Sequence, residues 1–174
     1  KRGDLNFTQK SRMDTLPALY DLDHRFQLMD KYDTVQVLTL ATANSLDEIT
    51  TSPKEATELC HRVNDEMAEL VDRYPDRFVA GTAVLSLSDM DAALKELDRA
   101  VNELRLRGLY LFIPMNGKAP DLPEFMPLYE MMSTYNLPIF LHPASRPTVP
   151  QYDNETESKY DIWLLFGWPY ETSV

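Results

Sequence analysis

A histidine that ends a short apolar strand is the residue of this chain best placed to do chemistry. His142 follows the apolar run 138–141 and is followed at once by Pro143. A buried strand that presents an imidazole at its carboxyl end is the usual way in which α/β enzymes hold catalytic or metal-binding groups. The other two histidines, His24 and His61, are too far away in sequence to form a paired ligand motif. We therefore predict that His142 is one member of a site, although a purely structural strand-end histidine is the alternative.

Two polar residues near strand ends could contact a substrate. Asn116 follows an apolar run and could donate to a substrate oxygen, but the dipeptide Asn116-Gly117 also suits a tight turn. Arg146 could bind a substrate carboxylate through two parallel hydrogen bonds, or it could be an exposed loop arginine. Both interpretations stay open for each residue.

Three further residues of reactive type have simpler interpretations. Cys60 and His61 lie on a predicted helix without a partner at ligand spacing. They are predicted to be a core cysteine and a surface histidine. His24 lies in an acidic stretch and is predicted to be solvated.

Composition limits the class of protein. The chain has 174 residues, 44% of them hydrophobic, which predicts a single globular domain over 1–174. A net charge of -11 argues against nucleic acid or an anionic membrane surface as a partner. The single cysteine favours a reducing compartment, and no apolar run reaches the roughly 18 residues of a spanning helix. A cytoplasmic protein is expected.

The order of apolar patterns predicts a parallel sheet. Near-continuous apolar runs predict four strands, at 34–41, 78–85, 109–113 and 138–142. Apolar residues at three- and four-residue steps predict three helices, at 53–74, from Ser88 to a stop at Gly108, and at 121–135 with Asn136 as C-cap. Strands that alternate with helices and are apolar throughout are typical of a parallel sheet buried on both faces.

Such units can close into a barrel or form an open, doubly wound sheet. The five glycines include no dinucleotide- or phosphate-binding spacing, which favours the barrel. Barrel enzymes run to about 250 residues, so four strands predict about half of one. The polar segment 145–160 is predicted to be a long loop that acts as a lid or substrate loop, with a linker as the alternative. The last residue, Val174, follows no cap, and we expect the intact protein to continue.

Ordered blocks of this sequence resemble the amidohydrolase-related decarboxylases, a group typified by aminocarboxymuconate semialdehyde decarboxylase and gamma-resorcylate decarboxylase. The Asn64-Asp65 pair on the first long helix resembles a motif of that group. The other blocks occur in the order of the group and span the chain from about Asp14 onward; they are 74–81, 112–118, 122–130, 138–143 and 167–172.

The resemblance implies a (β/α)8 TIM barrel of the metal-dependent hydrolase type, with one divalent metal at the carboxyl ends of the strands. It implies zinc, or else manganese, and no organic cofactor. His142 matches the metal-binding histidine of the fifth strand. The first-strand metal motif has no counterpart here, and the late aspartate and an assisting histidine would lie beyond Val174. The resemblance also implies that Trp163 and Trp168 could line an aromatic substrate pocket, although packing is the alternative for either.

The expected activity is non-oxidative decarboxylation of an aromatic or unsaturated carboxylic acid by the intact enzyme. The same metal could instead activate water against a lactone or amide, which is the hydrolase alternative. A small-molecule carboxylate is then the substrate, and a homodimer is possible because relatives are often dimeric. The chain alone is expected to be inactive because one imidazole cannot hold a metal that needs three or more protein ligands.

A non-catalytic half-barrel that serves as an interaction module is the remaining alternative. A half-barrel exposes parallel-sheet edges and much of its apolar interior. We therefore expect these residues to be ordered only within a larger assembly.

Overall fold

The computed structural model describes residues 15–40, 42, 45–144 and 166–173, and strands alternate with helices through most of that part of the chain. The strands are β1 (Gln36–Leu38), β2 (Phe78–Gly81), β3 (Leu109–Ile113) and β4 (Ile139–Pro143). The helices are α1 (Leu22–Tyr32), α2 (Leu46–Ile49), α3 (Pro53–Arg73), α4 (Met90–Asn102), α5 (Met126–Tyr135) and α6 (Trp168–Ser173). Short 3-10 turns cover Pro17–Leu19 and Pro123–Phe125.

The four strands lie side by side in the order in which they occur in the sequence. β1 pairs with β2 and β3 pairs with β4, both in parallel. The two pairs meet at Ala83, whose N–H donates to the carbonyl of Gly108 and whose carbonyl accepts from Tyr110, both at 2.8 Å. Sequential parallel strands joined by helices are the arrangement of a (β/α) barrel, as predicted.

Side-chain caps begin the two long helices. The side chain of Ser52 accepts from the N–H of Glu55 at 3.2 Å. Pro53 occupies the first turn of α3, where a backbone N–H would have no partner within the helix, so the N–H that proline lacks is not needed. Asp89 accepts from the N–H of Ala92 at 3.1 Å and begins α4. The prediction that Ser88 begins this helix was wrong by one residue.

The ends of two helices also differ from the predictions. α4 ends at Asn102 and not at Gly108, and an irregular segment connects it to β3. A 3-10 turn precedes α5, so the regular helix starts at Met126 and not at Asp121. The predicted C-cap of α5 is confirmed, since Asn136 has φ +52° and its N–H bonds the last carbonyls of the helix.

The core lies between the helices and one face of the sheet. The inward stripe of α3 includes Ala56, Cys60 and Met67, and that of α4 is centred on Ala93, Leu97 and Ala100. The other face of the sheet was predicted to be buried as well, but Val37 is 45%, Val79 55% and Phe140 40% exposed. In a closed barrel this second face is the interior, which the remaining strands cover. The described part of the chain therefore leaves the barrel interior open.

No helix in the described ranges is both long and apolar enough to cross a membrane. The predicted loop at 145–160 lies outside the described residues.

Candidate functional site

The structure places His142 at the carboxyl end of β4, directly opposite Phe112 of β3. Its Nδ1 atom is buried and has no hydrogen-bond partner among the residues described. Burial lowers the pKa of His142, and the backbone of Pro143 offsets this in part. A lowered pKa favours the neutral imidazole near neutral pH, which is the form that binds metals. The position and the free nitrogen fit a metal ligand.

Aromatic rings surround the His142 imidazole. The ring centroids of Phe112 and Tyr110 lie 5.4 Å and 5.6 Å from that of His142, and Trp168 at the start of α6 lies 6.1 Å away. Tyr110 and Phe112 themselves pack edge to face. Flat apolar walls of this kind suit an aromatic or unsaturated ligand.

Tyr110 and Phe112 also line a pocket at the same end of the sheet. The remaining walls come from the segments after β1 and β2, from α2 and from the turn after β3. These walls are formed by Leu40, Ser45, Leu46, Asp47, Val84, Leu85, Leu87, Leu111 and Asn116. The pocket walls are mainly apolar with a few polar groups, and the space that the described residues enclose, about 10 Å³, holds about one water molecule.

The structure confirms the turn interpretation of Asn116, and its contact with a substrate stays a prediction. Asn116 and Gly117 have positive φ angles of 49° and 79°, and Met115 and Lys118 exchange two backbone hydrogen bonds of 2.9 and 3.0 Å. These two residues therefore form a tight turn. The turn also places Asn116 on the pocket wall, where its side chain can reach a ligand.

Two further polar side chains of the pocket differ in their hydrogen bonding. Asp47 accepts from the N–H of Leu87 at 2.8 Å and from the hydroxyls of Ser86 and Ser88. Ser45 has a buried Oγ without a partner among the described residues. Buried polar atoms are rarely left unpaired, so the Ser45 hydroxyl is available to a ligand.

The described residues contain no group of three or more histidine, cysteine or carboxylate side chains that could hold a metal ion. His142 is thus a single donor, and a complete site requires ligands from elsewhere in the intact protein.

The structure brings together three of the five predicted site residues at one end of the sheet. Trp168 contacts His142, and Asn116 shares a pocket with the aromatic neighbours of His142. Arg146 and Trp163 lie outside the described residues, so their predicted roles stay predictions.

The sequence interpretation missed a buried polar network between α3 and α4. Asn64 is fully buried, and Glu96 is 3% exposed. The Nε2 atom of His61 lies 3.1 Å from Oε2 of Glu96. Ligand spacing in the sequence indicates no partner for His61. Asn64 continues the four-residue spacing of the buried residues Ala56, Cys60 and Ala68. A polar residue at an inward helical position was the signal that could have revealed this network.

Of the other two residues with simple interpretations, Cys60 is as predicted, whereas His24 is less exposed than predicted. Cys60 is 1% exposed, and burial raises the pKa of its thiol to about 12. His24 lies in the first turn of α1 and is half-buried, and its N–H bonds the side chain of Asp21.

Sequence comparison relates the chain to known proteins. A family model described as amidohydrolase matches residues 13–172. The chain is 30% identical over 160 residues to 2-amino-3-carboxymuconate-6-semialdehyde decarboxylase of Dictyostelium discoideum, covering 89% of this chain and 41% of the relative. It is 36% identical over 165 residues to gamma-resorcylate decarboxylase of Rhizobium radiobacter, covering 87% and 47%. The chain therefore spans less than half the length of these relatives.

Solved structures that resemble this chain include decarboxylases, as the sequence relatives do. A 2,6-dihydroxybenzoate decarboxylase from Rhizobium superposes with a TM-score of 0.62 at 31% identity, covering 84% of this chain and 44% of that one. A dihydroxybenzoic acid decarboxylase from Polaromonas, with bound manganese and the inhibitor 2-nitroresorcinol, gives a TM-score of 0.61 at 29% identity, covering 84% and 42%.

Proposed function

The chain belongs to the amidohydrolase family, and on that premise we propose that the intact protein is a metal-dependent, non-oxidative decarboxylase of an aromatic or unsaturated carboxylic acid. His142 carries the proposal, because its buried Nδ1 has no partner in the described structure and its ring is surrounded by aromatic side chains. The decarboxylase relatives support the reaction class, since they align with more than four-fifths of the chain.

We infer that His142 contributes one ligand to a divalent cation and that residues outside this chain contribute the others. Zinc is favoured by the resemblance, and manganese by the metal bound to the Polaromonas relative. When bound, such a cation supplies positive charge that holds a substrate carboxylate and stabilises the charge that develops as carbon dioxide leaves.

The protein's own side chains would orient the substrate. Trp168 and Phe112 form walls beside His142 that suit a flat ring. Asn116 can donate from the pocket wall to a substrate oxygen. Arg146 and Trp163 are proposed to bind the carboxylate and the ring, on their sequence position alone.

Two further properties of the intact protein are proposed. We propose a homodimer, by analogy with the family, which sedimentation of the intact protein tests. We propose a cytoplasmic location, which the single cysteine among 174 residues supports and which fractionation of the source cells tests.

The test is made on the intact, full-length protein. Metal content is measured by mass spectrometry, and carbon dioxide release is measured with 2,6-dihydroxybenzoate before and after chelation and reloading with zinc or manganese. We expect near-stoichiometric metal, and activity that chelation abolishes and one of the two metals restores. The variant His142→Ala should lose most of its metal and at least about a hundredfold in activity, whereas His24→Ala, remote from the pocket, should retain both.

Two results would overturn parts of the proposal. Metal binding and activity that survive in His142→Ala would remove this residue from the site. Hydrolysis of a lactone or amide, without carbon dioxide release from any aromatic acid, would favour the hydrolase alternative.

A further inference from the structure

A buried carboxylate outside the proposed metal site has no part in the chemistry above. Glu96 on α4 is 3% exposed, and burying an isolated charge is costly unless it is paired. Arg99 pairs with both of its oxygens, from Nε and Nη2 at 2.8 Å each. The hydrogen bond with Glu96 is the main reason why the pKa of Arg99 is raised. Both oxygens of the buried Glu96 side chain are therefore paired inside the protein.

Glu96 also contacts two residues of α3, His61 through its Nε2 at 3.1 Å and Asn64. Nδ2 of Asn64 donates to Oε1 of Glu96 at 2.7 Å. Because a carboxylate only accepts hydrogen bonds, this contact determines which end of the Asn64 amide carries the nitrogen. The oxygen end is thereby directed elsewhere, toward the sheet.

Asn64 uses both ends of its amide on one residue of the sheet. Its Oδ1 accepts from the N–H of Val84 at 2.9 Å, and its Nδ2 donates to the carbonyl of Val84 at 3.0 Å. These are the two bonds that a neighbouring strand would make. The backbone of Thr82 still reaches β1, where its N–H donates to the carbonyl of Leu38 at 3.0 Å. Val84 follows Thr82 by two residues, so its N–H and carbonyl point to the same side. There they bond the Asn64 side chain and not the backbone of β1.

Val84 is also part of the pocket wall, together with Leu85 and Leu87. This wall, residues 84–87, is thus fastened at its start by Asn64 and at its end by Asp47, which accepts from the N–H of Leu87. A wall fastened at two points by side chains from two helices is held in a defined position.

We propose that Asn64, oriented by Glu96, is a positioning residue for the ligand pocket and that it acts by holding the wall 84–87 in place. The positioning stands on the geometry alone. Its effect on ligand binding rests on the proposed function.

The experiment measures two quantities on the intact protein. Amide hydrogen exchange is followed residue by residue, and the dissociation constant is measured for 2-nitroresorcinol, the inhibitor bound in the Polaromonas structure. The variants are Asn64→Leu, which keeps the size of the side chain without its hydrogen bonds, and Glu96→Gln, which keeps the shape and removes the charge. Asp72→Asn is the control, because Asp72 is also on α3 but makes only an exposed pair with Arg105 at 3.5 Å.

In Asn64→Leu we expect exchange at Val84 to increase at least about tenfold relative to the core amide of Leu97, as the loss of a local hydrogen bond implies. The dissociation constant of 2-nitroresorcinol should rise by about tenfold. Glu96→Gln should change both quantities in the same direction by a smaller factor, and it decides the question if Asn64→Leu does not fold. Asp72→Asn should change neither.

Uniformly faster exchange throughout the core would make Asn64 a general stabilising residue and overturn the proposal. Locally faster exchange with unchanged inhibitor affinity would overturn its link to the pocket. If the unaltered protein does not bind 2-nitroresorcinol, the substrate class of the proposed function fails, and the exchange result alone decides whether Asn64 positions the wall.

Discussion

Burial determines the chemistry that individual side chains of this protein can perform. Cys60 and His142 are both reactive residue types. Burial raises the pKa of the Cys60 thiol and lowers the pKa of the His142 imidazole, so it favours the neutral form of both. For a thiol the neutral form is inert, whereas for an imidazole it is the metal-binding form. Burial therefore makes Cys60 unreactive and favours the form of His142 that can bind a metal.

Cys60 is predicted to be unreactive in the folded protein. Its pKa of about 12 leaves very little thiolate at pH 8, and the side chain is 1% exposed. Labelling with a thiol reagent should be at least about a hundredfold slower in native buffer than in denaturant. Rapid stoichiometric labelling of the native protein would show that the helix opens locally or that the thiol is not buried.

Ser45→Ala is predicted to separate ligand binding from stability. The Ser45 hydroxyl has no partner among the described residues, so its removal should leave the melting temperature unchanged. If the hydroxyl bonds the ligand, the dissociation constant of 2-nitroresorcinol should rise about three- to tenfold. The exposed Ser133 on α5 provides the control Ser133→Ala. A lower melting temperature at unchanged affinity would assign a structural role to Ser45.

At the scale of helices and strands, local sequence signals predicted most of the architecture. Apolar runs and helix stops are signals that lie within a few neighbouring residues. They were therefore enough to predict the strands 109–113 and 138–142 and the C-cap at Asn136. The Asn64 and Glu96 network was not, because its partners are 32 residues apart and their contact exists only after folding. The missing metal ligands were inferred only through resemblance.

The start of α4 offers a discriminating measurement. Asp89, not Ser88, accepts from the N–H of Ala92. Asp89→Ala should therefore lower the free energy of unfolding by about 1 kcal/mol, the usual contribution of an N-cap. Ser88→Ala removes only an exposed hydrogen bond to Asp47 and should cost less. Urea unfolding of both variants gives the comparison, and a larger loss for Ser88→Ala would move the cap by one residue.

For the molecule as a whole, the uncovered face of the sheet is the dominant feature. Val37, Val79 and Phe140 are exposed on the side that forms the interior of a complete barrel. The chain spans less than half the length of the two curated relatives described above. The described sheet is therefore expected to need further strands, or another copy, against this face.

A protein consisting only of these 174 residues is predicted to self-associate through that face. Val79→Thr should weaken the association, because Val79 is 55% exposed in the apolar patch. Ile49→Thr, an equally exposed change on α2, serves as the control. Sedimentation velocity over a range of concentrations measures both. In the intact protein the sign reverses, since a threonine hydroxyl would be buried there and would lower stability.

A monomer with a sharp, reversible melt at high concentration would contradict this prediction.

The sequential order of the strands has a consequence for how the protein is made. Among the described strands, β2, β3 and β4 each pair with the strand that leaves the ribosome immediately before, so these pairings do not wait for a distant segment. Contacts between neighbouring units keep the separation between partners short, which favours rapid assembly. The sheet can therefore grow one βα unit at a time during translation.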